Sequence, residues 1–159
     1  MAKPIDLTYL KAGRSYLESL RALGLEPDCL FWAQDELVGE NVLVLVTTQY
    51  DRVGPLALSE TLFKAHNLAG TPAEIDPFIV RMHSPEQSVI KELAKIVALN
   101  VKVDPLTPDP VPMTFHINGG GLQFEPAWIY RFRLPAKKPP AELARQWRRF
   151  NRNVDKLAA

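Results

Sequence analysis

Leu10, Leu17 and Leu20, flanked by Tyr9, Tyr16 and Leu23, recur at helical spacing near the start of the chain. Asp6 precedes this run as an N-cap, Gly24 follows it as a left-handed stop, and Leu25 can fold back on the last turn. The pattern predicts a helix ending at about Leu23. The period then changes. Cys29–Gln34 and Val42–Val46 are short apolar runs separated by Gly39-Glu40-Asn41, a turn composition. The second run is β-branched or Leu throughout, which predicts a hairpin whose second strand is buried on both faces.

Helical spacing returns after Gly54-Pro55, with Leu58, Leu62, Ala65 and Ala69 on one side to about Leu68. Thr47–Gly54 reads as the loop before it. Thr71-Pro72-Ala73-Glu74 is a capping-box pattern that Pro77 cuts short. Phe78–Met82 reads as a second buried strand. Ser84-Pro85-Glu86-Gln87 is another capping box, opening a helix to about Asn100 with Val89, Ile90, Leu93, Ile96 and Val97 inward. The order strand–helix–strand–helix predicts two parallel strands joined by a right-handed crossover.

Asp104–Pro112 holds four prolines and reads as a stiff connection. Met113–Ile117 and Leu122–Leu134 then form a hairpin around Asn118-Gly119-Gly120-Gly121. Leu122, Phe124, Trp128, Tyr130, Phe132 and Leu134 share one face of the second strand; Gln123, Glu125, Arg131 and Arg133 share the other. Pro126 donates no ladder hydrogen bond, so a bulge or an edge belongs there. A last helix runs from Ala141 to about Leu157, with Leu143, Trp147, Phe150, Val154 and Leu157 on one stripe. The expected architecture is α/β, with α+β as the alternative. It is a sandwich in the order α-β-β-α-β-α-β-β-α, with a mixed sheet of about five strands and helices on at least one face.

The 159 residues, 47% hydrophobic and 23% charged, match one globular domain over residues 1–159, with the 141–157 helix docked on it. The lone Cys29, beside Leu30, Phe31 and Trp32, reads as a core side chain. The polar start lacks the apolar region of a secretory signal, and the longest apolar run is too short to span a bilayer, so a cytoplasmic protein without membrane contact is expected. The net charge of +1 hides a polarity. Residues 131–159 carry nine basic and two acidic side chains, net +7, against ten basic and sixteen acidic, net −6, elsewhere.

That polarity supplies the leading candidate site. Arg145, Arg149, Arg152 and Lys156 line the side of the last helix opposite its apolar stripe, with Arg148 flanking. Arg131 and Arg133 extend the field if their sheet face adjoins. Such a surface attracts phosphate; its structural alternative is a solvated outer face. A second candidate lies beyond the carboxyl ends of the parallel strands, where α/β sheets bind ligands. There Tyr50, Asp51, Arg52 and His83 would converge. Asp51, Asp76 and His83 are also the candidate catalytic residues of a phosphoester hydrolase or nuclease, with a metal as an option. Glu74 is assigned to the cap at Thr71.

No paired cysteines, HExxH, EF-hand, Walker, dinucleotide or GxSxG pattern is present, so neither a bound metal nor a cofactor is expected. The sequence therefore points to a non-enzymatic binding or assembly protein with an anionic partner, nucleic acid or acidic protein. The alternatives are the small hydrolase and a homodimer joined through the Trp147–Phe150 stripe or the Leu122–Leu134 edge.

Overall fold

A computed structural model describes residues 5–100, 122–134 and 138–159. Its elements follow the predicted order: α1 (Leu7–Leu23), β1 (Cys29–Asp35), β2 (Glu40–Val46), α2 (Gln49–Asn67), β3 (Val80–His83), α3 (Ser88–Asn100), β4 (Leu122–Gln123), β5 (Ile129–Phe132) and α4 (Pro140–Lys156). The sheet is mixed and five-stranded. β1 pairs antiparallel with β2 along one edge and with β4 and β5 along the other. β2 and β3 are parallel, Leu43 facing Val80 and Val46 facing His83. The predicted Met113–Ile117 strand lies outside the described residues. No helix among the described residues is long and apolar enough to cross a membrane.

Local chemistry explains most element ends. Asp6 accepts the Thr8 amide at 2.8 Å, and Gly24 (φ 104°) closes α1 while the Leu25 amide reaches back to the Leu20 carbonyl. Leu25 is fully buried by this return. Both faces of β1 and the last five residues of β2 are buried, as two continuous apolar runs require. The Trp32 face meets α1 through Tyr9, with ring centroids 6.1 Å apart. On the opposite face, Phe31 meets Phe124 and Phe132.

Four local expectations are corrected. The 47–54 segment is largely helical rather than a loop, because α2 already begins at Gln49 and only kinks at Gly54. Its first turn is held from a distance: the Asp28 carboxylate accepts the Thr48 amide at 2.9 Å. Phe78 is 83% exposed instead of buried. Asp76 accepts the Phe78 amide and, with Pro77, winds Pro77–Ile79 into a 3-10 turn, so the strand starts only at Val80. Thr71 caps nothing; its hydroxyl is buried without a partner. Ser84 accepts the Glu86 amide in a local turn, and α3 starts later, at Ser88.

The predicted Leu122–Leu134 strand is broken in two. A 3-10 turn at Pro126–Trp128 separates β4 from β5, where proline cannot complete the ladder. The register also shifts opposite Leu30 and Phe31, leaving Tyr130 as the extra residue. Tyr130 and Phe132 therefore do not share a face. Phe132 contacts Phe31, while the Tyr130 hydroxyl accepts the Trp32 indole N–H at 3.0 Å and donates to the Leu10 carbonyl.

This bulge explains Gly13. A β-carbon there would overlap the end of the Tyr130 ring. Gly13→Ala should gain about 0.5–1 kcal/mol of helix propensity but lose about 1–3 kcal/mol to overpacking, so it should destabilise. Combining it with Tyr130→Phe, which removes the hydroxyl, should cost less than the two single variants added, by at least about 0.5 kcal/mol in urea unfolding. Strict additivity would refute the close approach.

Candidate anion-binding face

Most of the apolar stripe of α4 is used inside the molecule, with Leu157 left exposed. Leu143, Phe150 and Val154 are buried, and Trp147 packs on Phe150 with ring centroids 5.8 Å apart. Burying three such side chains contributes about 5–8 kcal/mol before entropy is counted. Leu143, Phe150 and Val154 are thus taken up by the fold, and within the Leu122–Leu134 segment β4 and β5 pair with β1 on one edge.

Polar ties then fix α4 on both flanks. On one side Asn153 donates to the Leu23 carbonyl at 2.8 Å, catching the C-terminal end of α1. On the other side the buried Gln49 of α2 donates to the Leu143 carbonyl at 2.8 Å and to Gln146 Oε1 at 3.0 Å. Thr61 donates to Asn151 Oδ1 at 2.9 Å. The Lys64–Asp155 pair is exposed and adds less than about 1 kcal/mol. The helix is held by its stripe and oriented by its amides.

This docking leaves one face outward. Arg145, Arg148, Arg149, Arg152 and Lys156 are all exposed, and none pairs with a carboxylate among the described residues. A cleft of about 380 Å³ opens between them and the end of α1, lined by Arg21, Glu26, Glu142, Arg145, Gln146 and Arg149. Gly24 helps shape it. The Arg149 Cγ lies 3.3 Å from the point a β-carbon of Gly24 would take, so the stem crosses directly over the turn.

The two strand arginines differ from the helix set. Arg131 donates to the Pro27 carbonyl at 2.7 Å and pairs with Glu26 at 3.0 Å. Glu26 also takes Arg21 at 2.9 Å. Arg131 is thus paired within the chain, sharing the one Glu26 carboxylate with Arg21, whereas Arg133 is exposed. Sequence reasoning missed Arg21 and Glu26, which become part of the site only when α4 docks beside the end of α1.

The second candidate converges in part. Parallel pairing brings Thr47 and His83 together, the Thr47 amide donating to the His83 carbonyl at 3.1 Å. Ser84 donates to both oxygens of Asp51, at 2.7 and 2.6 Å. His83 turns away to Gln87, Nδ1 to Oε1 at 2.7 Å. Tyr50 packs partly into the core, and Arg52 is exposed. Asp76 sits at the opposite end of β3 and is used by the Phe78 cap. Ser84 itself is buried. The arrangement works as a clasp between the start of α2 and the β3–α3 turn. Among the described residues no group of three or more His, Cys, Asp or Glu side chains is placed to hold a metal ion.

Two titratable groups lie under this region. Burial pushes the Cys29 thiol up to about 12, so it carries no thiolate at neutral pH. Burial also raises the Asp28 carboxyl above the ordinary aspartate range, against the lowering pull of the Thr48 hydrogen bonds and of Lys138 and Arg131. A raised folded-state pKa means stability that is complete below the unfolded aspartate value and lost as pH rises through the folded one. The stability of the wild type relative to Asp28→Asn, which keeps an acceptor for Thr48, should therefore fall from acid toward neutral pH. Urea unfolding at a series of pH values measures this; a difference that is constant or grows would contradict the burial effect.

Compared with known protein families, curated proteins and solved structures, the chain shows no match.

Proposed function

We propose that this chain is a non-catalytic binding protein whose α4 face holds the phosphate backbone of a nucleic acid. One observation carries the reading: five exposed cations stand on one rigidly docked helix without a carboxylate partner among the described residues. From Arg145 to Lys156 they span about 16 Å along the axis. Duplex nucleic acid carries a charge every ~1.7 Å, so several phosphates fall within that span. Four of the five are arginines, whose planar fork matches phosphate oxygens in pairs.

The exposed positions of α4 also favour nucleic acid over an acidic protein. Residues 140, 141, 142, 145, 148, 149, 152, 155 and 156 include no large apolar side chain. Protein interfaces centre on buried aromatic or aliphatic anchors. Phosphate recognition needs none.

Anisotropy of a labelled duplex across a salt series tests this. If each of the five cations meets one phosphate, log K should fall with log salt at a slope near about −4.5. Arg149→Glu and Arg152→Glu should each flatten the slope by about 1 and weaken binding uniformly across sequences. A salt-independent curve, or reversals without effect, would overturn the proposal. Equal binding of an acidic polypeptide would reassign the partner class.

A further inference from the structure

A second cavity lies away from the basic face. Its volume is about 340 Å³, within the range of small-molecule sites, and Ile5, Tyr9, Trp32, Glu40, Asn41 and Ile79 line it. It sits at the end of the sheet where β2 begins, because Asn41 pairs with Gln34 and Ile79 directly precedes β3. The walls are two isoleucines and two aromatic rings, Tyr9 standing edge-on to Trp32 at 76°.

We propose that this cavity binds a small organic amine in its ammonium form, with an apolar body. The polar groups of the wall supply negative charge and acceptors. Glu40 brings a carboxylate at an exposed position. Asn41 Oδ1 is buried and receives no hydrogen bond. An unpaired buried acceptor is costly to leave, and a ligand N–H is the group that satisfies it. Rotation about the broad terminal torsion of an asparagine brings that oxygen to a seated ligand.

One donor of the wall is closed. The Trp32 indole N–H is committed to the Tyr130 hydroxyl, and that hydroxyl to the Leu10 carbonyl. None of the lining residues among the described ones is basic. A carboxylate or phosphate would find no counter-charge among the described lining residues. An ammonium meets the Glu40 carboxylate and, once the amide rotates, Asn41 Oδ1, beside the aromatic side chains of Trp32 and Tyr9. The walls between them take an apolar body. This chemistry is the reverse of that on α4, so the inference stands whether or not nucleic acid binds there.

Calorimetric titration of the full chain with phenethylamine, 3-phenylpropionate and ethylbenzene tests it. The amine should bind one-to-one, and the carboxylate and the neutral hydrocarbon should bind far more weakly. Glu40→Gln, a surface change that leaves the fold intact, should weaken the amine by about threefold to fivefold. Asn41→Ala should weaken it by about tenfold, with unchanged circular dichroism as the control. Absence of amine binding at millimolar concentration would overturn the proposal. So would carboxylate or hydrocarbon binding as tight as the amine, or indifference to Glu40→Gln.

Discussion

A strand buried on both faces has no water to satisfy its backbone, so every N–H and C=O must find a partner within the protein. β1 is that strand here. All seven of its residues are buried, and it is bonded to β2 on one edge and to β4 and β5 on the other. Much else follows from its two ends. Asp28, just before it, holds the first turn of α2 through Thr48. Asp35, at its close, pairs with Arg81 of β3 across the sheet and accepts the Leu37 amide of the following turn. Burial works to raise the Asp35 carboxyl, but the Leu37 amide and the Arg81 guanidinium outweigh it and hold the group below its ordinary range. One strand thus fixes both the core and the start of the crossover helix.

The helix layer inherits this geometry. α1 rests on β1 through the Tyr9–Trp32 contact, and α4 is tied to α1 on one flank and α2 on the other. Phe150 and Val154 are fully buried in that arrangement. Apolar burial supplies the energy, and the side-chain amides choose the rotation of α4 about its axis. That rotation decides which residues face solvent. A turn of the helix by half its circumference would bury five cations, and burying charge in that way is costly. The outward basic face is therefore a consequence of packing and not a separate device.

The candidate site was partly legible before folding. Arg145, Arg149, Arg152 and Lys156 share a helical stripe by spacing alone, and their exposure follows from the apolar stripe opposite. Arg131 and Arg133 looked equivalent on an alternating strand, yet Glu26 takes Arg131 and leaves Arg133 exposed. Nothing local distinguishes them, because Glu26 lies far back in the chain beyond the end of α1. Asp51 and Asp76 looked equally available for chemistry. Ser84 engages the first and a 3-10 turn the second, at opposite ends of β3. Only the direction of β3 separates them.

By itself the sequence determined the element order, the parallel β2–β3 pair, the cap and stop of α1 and the basic stripe of α4, since each rests on periodicity or on a residue's own backbone preference. The tertiary structure alone decided three things: the early start of α2, the bulge at Tyr130, and the cavity between Trp32 and Ile79. The physical reason is distance along the chain. A cap offered by Asp28 to Thr48, or an indole N–H donated by Trp32 to the Tyr130 hydroxyl, depends on groups twenty to ninety-eight residues apart, and only folding brings them within a hydrogen bond.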